Sequence, residues 1–162
     1  MSHEYTYDIS MFRDTFETRF TYLNGFLRNV SRFGSRPALF DPRSGRRWTY
    51  RELNAEANRL AHALRADGVG KNDVVMFTLL NSPEFVFCYL AAHKIGAIAC
   101  PVNYRQGAGE IALVIDDSTP KAFIYDAEFG ELSGGALDLC ESKPAIKIVV
   151  GADDAVPAGQ VR

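Results

Sequence analysis

The sequence predicts an α/β fold, a parallel sheet with helices on both faces, preceded by an N-terminal helix and a short β-hairpin. Three observations predict it. Apolar, β-prone runs begin at Val74, Ala97, Ala122 and Ile146, at intervals of 23, 25 and 24 residues, the length that a strand–helix–strand crossover needs. The first run, "DVVMFTLL", is continuously apolar and rich in β-branched residues, as a strand buried on both faces is. Helix start and stop signals fall between the runs, so strands and helices alternate.

From the N-terminus, "MFRDTFETRFTYLNGFLRNVSRF" (residues 11–33) places Phe12, Phe16, Phe20, Leu23 and Leu27 at steps of three and four. That spacing predicts one helix whose apolar face packs against the rest of the chain. "PALF" and "RRWTY" flank the turn "DPRSG", so a hairpin is expected over residues 37–50. Thr49 and Glu52 have the spacing of a capping box, in which each satisfies a backbone N–H near the other. Leu53, Ala57, Leu60, Ala61 and Leu64 then line one helix face until Gly68 stops it. Ser82 is placed to cap a helix that has Pro83 at its first position and Gly96 just past its end. Strand "AIACPV", a helix near Gly109 to Asp116, strand "KAFIY", a helix near Glu131 to Glu141 and strand "IKIVV" complete the series. The organisation expected is an N-terminal helical segment over 1–36, an α/β subdomain over 37–150, and a polar linker or frayed tail over 151–162.

With 47% hydrophobic residues, 162 residues suffice for one domain with its own core. Lys and Arg number 18 against 20 Asp and Glu, so no basic footprint points to nucleic acid or to an anionic membrane. Apolar runs such as Phe85 to Ala92 are shorter than the ~20 residues of a membrane span, and "MSHEYTYDIS" lacks the layout of a secretory signal. A cytoplasmic location is expected. Cys88, Cys100 and Cys140 are odd in number and set in apolar surroundings, which predicts reduced core thiols, with neither a disulfide nor a zinc site.

One motif invites a nucleotide. "GAGEIA", Gly107 to Ala112, fits the G-x-G-x-x-G/A pattern, and Asp126 follows at the distance of a ribose-binding acid. In a dinucleotide turn, however, the first glycine follows its strand almost directly. Here Asn103, Tyr104, Arg105 and Gln106 intervene. Gly107 and Gly109 are better read as shaping a loop and a helix start. "GVGKND" precedes a strand where a phosphate loop requires a helix, and "LSGGALD" has no lysine. His62 and His93 lie in predicted helices without a ligand or nucleophile partner nearby, and no function attaches to Asp116-Asp117.

Taken together, "WTYRELNAEANRLAHALRADGVGKNDVV", "NSPEFVFCYLAAHKIGAIACPVNYR" and "GEIALVIDDSTPKAFI" closely resemble the opening of the adenylate-forming enzymes. Within them, the resemblance is to acyl-CoA synthetases of the fatty-acid or aryl-acid type, and it runs from about Arg36 to Val150. It implies a reaction in two halves. A carboxylate attacks ATP to give an acyl-adenylate and pyrophosphate; the thiol of coenzyme A then displaces AMP. ATP, Mg2+ and coenzyme A are therefore implied for a parent enzyme.

The family's phosphate loop, its Tyr-Gly-x-Thr-Glu segment, its ribose-binding aspartate and the lysine of its mobile C-terminal domain have no counterparts here. The resemblance thus implies an N-terminal portion, about the first third of a synthetase. Such a portion is expected to be inactive alone, to bind none of these cofactors, to pair with the remainder of the synthetase and to self-associate through an uncovered apolar face. It implies one site residue. Arg105, in "PVNYR", matches a basic position that in related ligases lies near the phosphates of coenzyme A. A salt bridge or a solvated charge is the alternative, and Gln106 with "GAG" departs from the family's sequence after the arginine. No catalytic residue and no metal ligand is expected in the chain. The alternatives in other functional classes are a free-standing dinucleotide-binding module using Gly107, Gly109 and Asp126, and a free-standing interaction module.

Overall fold

Two threonines set where the first long helices begin in the computed structural model, which describes residues 8–151. The tail expected over 151–162 lies, from residue 152 on, outside the described residues. Thr21 is extended, and its hydroxyl accepts the Asn24 N–H at 3.2 Å, starting α2 (Tyr22–Phe33). Before it come α1 (Ile9–Phe12) and a π-helical stretch, Arg13–Arg19, that closes with a bond from Phe20 N to Thr15 O.

This corrects the single helix expected over residues 11–33. A side-chain cap in mid-segment restarts the helix and rotates its inward face. Phe26 becomes the buried residue, with Leu23 and Val30 half-buried beside it, whereas Phe16 and Phe20 stay exposed. Periodicity cannot see such a break, because steps of three and four run straight through it.

The hairpin forms as expected: β1 (Pro37–Phe40) pairs antiparallel with β2 (Arg47–Thr49), and Asp41 ties the turn by accepting from Arg43 N, Ser44 N and Ser44 Oγ. Thr49 then caps α3 (Tyr50–Ala66) in a complete capping box. Its hydroxyl accepts the Glu52 N–H at 3.2 Å, and the Glu52 carboxylate accepts the Thr49 N–H at 2.8 Å. Leu53, Ala57, Ala61 and Leu64 are buried, and Leu60 packs half-buried at their edge.

The sheet comprises β3 (Val74–Thr78), β4 (Ile98–Pro101), β5 (Ala122–Asp126) and β6 (Ile146–Val150), all parallel, in the order β4-β3-β5-β6. Its crossovers are α4 (Pro83–Lys94), α5 (Ala108–Ser118) and α6 (Gly130–Leu139). Alternation along the strands sends Val75, Phe77, Ala122 and Ile124 to the face covered by α3 and α4. Met76, Phe123, Tyr125 and Val149 face α5 and α6 instead. A third cluster, Phe26, Trp48, Leu53, Ala57 and Leu90, seats α2 and the hairpin on α3 and α4.

Gly68 and Gly96 follow α3 and α4 with φ of 88° and 74°, the left-handed region that glycine enters without a Cβ penalty. At the amino edge of the sheet Asp73 accepts from Gly70 N at 2.8 Å and from Lys121 Nζ at 3.1 Å. Asp116 accepts the Ser142 N–H at 2.8 Å, joining α5 to the turn before β6. That is a structural role for a residue whose purpose the sequence left open. Ser82 occupies the expected cap position of α4, but its hydroxyl is buried and bonds to nothing among the described residues. Pro83, with φ preset for a first turn and no N–H to satisfy, starts this helix without it. No helix of the described residues is long and apolar enough to cross a membrane.

Candidate functional site

In open parallel sheets, ligands bind outside the carboxyl ends of the strands, where successive connections leave toward opposite faces. Here that point lies between β3 and β5, because β3 leads into α4 on one face and its neighbour β5 leads into α6 on the other. Three connections gather at this edge: Leu79–Ser82 after β3, Val102–Gly107 after β4, and Ala127–Phe129 after β5.

Arg105 lies in the second of these and is the single cation of the three. Its loop is held rather than loose. Asn103 Oδ1 accepts the Arg105 N–H at 3.0 Å, and Asn103 O accepts the Gln106 N–H at 3.1 Å, closing a tight turn. Tyr104 stacks on Phe129 with ring centroids 4.9 Å apart and planes 9° from parallel, which pins the β4–α5 loop to the β5–α6 connection. The Arg105 guanidinium lies 5.7 Å from the Tyr104 ring centroid and is exposed. Among the described residues it forms no ion pair. An exposed guanidinium on an aromatic base is suited to a phosphate, which it meets with paired N–H donors. The sequence marked Arg105 but missed Tyr104 and Phe129. The signal available was an aromatic residue in each of two successive strand–helix connections.

The helix N-termini at this edge do not offer a phosphate cradle. Each of α4, α5 and α6 carries a glutamate in its first turn, Glu84, Glu110 and Glu131 respectively. Glu110 folds back so that its carboxylate accepts the Gly107 N–H at 2.8 Å, at the place where a pyrophosphate would sit in a dinucleotide fold. Gly107 has an ordinary φ of −75°, and a Cβ built at Gly109 would meet nothing within 4 Å. Neither glycine is needed for a strained turn or a close approach. Asp126 spends its carboxylate on the Glu128 N–H at 3.0 Å, capping the short 3-10 turn Ala127–Phe129. The dinucleotide alternative is therefore corrected: a carboxylate already fills the anion position of GAGEIA.

The remaining candidates are structural. Cys88 is buried, and desolvation, helped by the nearby Glu84 carboxylate, pushes its thiol up to about 12. Burial also raises the half-buried Cys100. His93 packs edge-on against Tyr89, with centroids 4.8 Å apart, and burial lowers its pKa. His62 is exposed on α3. No three His, Cys, Asp or Glu side chains of the described residues are grouped to hold a metal ion.

Comparison with known proteins gives a consistent result. The family described as AMP-binding enzyme matches residues 26–161. A 3-hydroxybenzoate/4-hydroxybenzoate–CoA ligase of Thauera aromatica is 43% identical over 107 residues, covering 66% of this chain and 20% of the ligase. The long-chain-fatty-acid–CoA ligase FadD13 of Mycobacterium tuberculosis is 41% identical over 90 residues, covering 56% of this chain and 18% of that protein. Among solved structures, a Mycobacterium tuberculosis fatty acyl CoA synthetase superposes with a TM-score of 0.73 at 31% identity, over 81% of this chain and 27% of the synthetase. The chain spans about a fifth of the length of the curated relatives it matches.

Proposed function

Because the chain belongs to the AMP-binding enzyme family, we propose that it is the N-terminal portion of an ATP-dependent acid–thiol ligase acting on an aryl or fatty carboxylate. In that reaction the carboxylate oxygen attacks the α-phosphorus of ATP and expels pyrophosphate. The sulfur of coenzyme A then attacks the acyl carbon and releases AMP, so each bond made is matched by one broken. ATP, Mg2+ and coenzyme A are the cofactors of the whole enzyme, which works in the cytoplasm. Two buried thiols and one half-buried one suit that reducing compartment. The observation that carries the reading is the 43% identity to a CoA ligase across two thirds of the chain.

Within the enzyme, residues 37–150 are the α/β subdomain, between an N-terminal segment 1–36 and a segment 151–162, of which residues 1–7 and 152–162 lie outside those described. Arg105 binds a phosphate of coenzyme A. What supports this is its place at the carboxyl edge of the sheet, its exposure, and a loop fixed by Asn103 and by the Tyr104–Phe129 stack. An arginine that meets only the thiol-bearing substrate affects one half-reaction and not the other. In a synthetase carrying this segment, Arg105→Ala is expected to lower thioester formation about tenfold or more, while acid-dependent ATP–pyrophosphate exchange stays near its starting rate. Equal losses in both would remove Arg105 from coenzyme A binding. A protein that forms no adenylate with any aryl or fatty acid would overturn the ligase reading as a whole.

A further inference from the structure

Unbalanced charge and exposed apolar surface fall in the same part of this chain. Residues 9–66 carry eleven arginines against five acids, a balance of +6, whereas residues 67–151 carry six cations against eleven acids, a balance of −5. The near-neutral whole conceals this division. Of the eleven large hydrophobic side chains that stand exposed among the described residues, eight lie between Ile9 and Phe40. Charge divided in this way points to a polyanionic partner, and exposed Ile, Met and Phe beside it narrow the kind.

The two features meet in space. Phe12, Phe16 and Phe20 form an exposed ring ladder with centroid steps of 4.7 and 5.4 Å. Arg28 lies against its end, with its guanidinium 5.6 Å from the Phe20 ring centroid and its Nη1 donating to Arg19 O at 3.2 Å. One turn further along α2, Arg32 approaches the Phe33 ring at 5.5 Å, and Arg36 approaches the same ring at 5.3 Å. A Cβ built at Gly34 would lie 3.3 Å from Arg51 Nη2, so a further guanidinium is next to them. The hairpin extends the surface, because Arg36 O accepts the Tyr50 N–H at 3.1 Å and Arg47 lies 4.2 Å from the exposed Phe40 ring.

These charges are not spent within the fold. Among the described residues Arg28, Arg32, Arg36, Arg47 and Arg51 form no ion pair, and the one bond of Arg28 goes to a carbonyl, which leaves its charge in place. Four of the five acids of residues 9–66 are engaged elsewhere: Glu17 with Arg13, Asp41 in the hairpin turn, Glu52 in the cap of α3, and Glu56 with Arg46 and Arg59. Residues 9–66 contain no lysine. A guanidinium is weakly hydrated, rests on aromatic rings and meets a phosphate with paired N–H donors, which an ammonium does not.

We propose that this surface docks the chain on an anionic bilayer, with Phe16 and Phe20 entering the headgroup boundary and the arginines of α2 and the hairpin meeting lipid phosphates. A surface for single-stranded nucleic acid needs ring faces on which bases stack, and here Arg32, Arg36 and Arg47 already lie against Phe33 and Phe40. A purely acidic peptide would satisfy the arginines and leave the ladder in water. A bilayer takes up both in one contact, as it does with amphipathic segments that lie in its interface. The negative balance of residues 67–151 is repelled by the same lipids, which selects this face of the chain for the contact.

Co-sedimentation of the 162-residue chain with sucrose-loaded vesicles tests this. At about 0.1 M salt, binding to phosphatidylcholine vesicles that contain phosphatidylserine should exceed binding to phosphatidylcholine alone about tenfold or more, and it should weaken as salt rises. Arg32→Gln/Arg36→Gln should reduce it about tenfold or more, while Lys71→Gln/Lys147→Gln, which removes the same charge from the other part, should change it less than about twofold. Phe16→Ser should also reduce it about tenfold, by removing an apolar contact. Circular dichroism should match the parent for all three variants. No binding to the charged vesicles, equal binding to the neutral ones, indifference to Phe16→Ser, or an arginine pair no more damaging than the lysine pair would each overturn the proposal. So would binding of a single-stranded oligonucleotide or of polyglutamate that the arginine variant abolishes while vesicles stay unbound, since that would give the surface a different polyanion.

Discussion

At the scale of single residues, burial separates three thiols that the sequence could only group together. Cys88 is enclosed between α4 and the sheet, where a thiolate loses its hydration and meets the field of Glu84, so its proton is held to about 12. Cys140 is also buried, whereas Cys100 on the edge strand β4 is half-buried. Only the thiolate is nucleophilic, and reagent access adds to that condition. Iodoacetamide at neutral pH should therefore label Cys100 first. Peptide mapping by mass spectrometry should find Cys88 and Cys140 unmodified until the chain is unfolded, and early labelling of Cys88 would contradict the packing described. The same scale shows what one-dimensional reading lacks. Arg105 was visible as a cation after a strand, but its base, Tyr104 on Phe129, joins residues 25 positions apart in sequence. Asp116 gained a role only when folding brought Ser142 N within 2.8 Å.

Elements follow a similar rule, in that what depends on neighbours in sequence was legible and what depends on competition between local signals was not. The hairpin, the capping box and the 23-to-25-residue strand spacing each rest on a few adjacent residues, and the structure contains all three. The break at Thr21 was hidden because a threonine hydroxyl overrode an uninterrupted apolar period. The order β4-β3-β5-β6 was not readable either, since equal spacing does not say to which side of β3 a crossover returns. Helix α3 offers a graded test of this picture. Leu64 is fully buried and Leu60 only partly so, which makes the cavity left by truncation larger at Leu64. Leu64→Ala should cost roughly 2 to 5 kcal/mol in urea unfolding and Leu60→Ala distinctly less. An inverted order would mean that α3 is rotated from its described face. Thr49→Ala should cost about 1 kcal/mol by freeing the Glu52 N–H. Its partner gives the cap a pH signature. Hydrogen bonds from Thr49 N and Oγ1 hold the Glu52 carboxyl below its usual range. A carboxylate with a depressed folded-state pKa contributes fully above the ordinary glutamate value of about 4.3 and loses that contribution as pH falls through the folded value. The parent should lose stability over that acid range more steeply than Glu52→Gln, as followed by thermal unfolding.

For the whole molecule, the decisive feature is the sign of charge at the carboxyl edge of the sheet. A nucleotide triphosphate bound there would need N–H donors from helix starts, a cation or a metal to offset its charge, and placement fine enough to steady a transferring phosphoryl group. Pro83 withdraws one N–H from the start of α4. Glu110 already occupies the Gly107 N–H before α5, and Asp126 occupies the N–H of the turn leading into α6. Glutamates Glu84, Glu110 and Glu131 place negative charge in all three first turns. Against them stands Arg105 alone, on one loop, which is enough to meet a phosphate and too little to hold a triphosphate in line. Under the proposed ligase reading, the phosphate-binding parts are expected in the remainder of a synthetase, with this sheet as one wall of the site. The 162-residue chain on its own should therefore catalyse no ATP–pyrophosphate exchange with benzoate, hydroxybenzoates or long-chain fatty acids, and should bind ATP no more tightly than about millimolar. Radiolabelled pyrophosphate exchange and isothermal calorimetry measure the two separately. Acid-dependent exchange that copurifies with the chain and disappears in Arg105→Ala would show a complete site in these residues. Exchange that persists unchanged in Arg105→Ala, Glu110→Gln and Asp126→Asn would instead point to a contaminating host synthetase, leaving the charge argument at this edge intact.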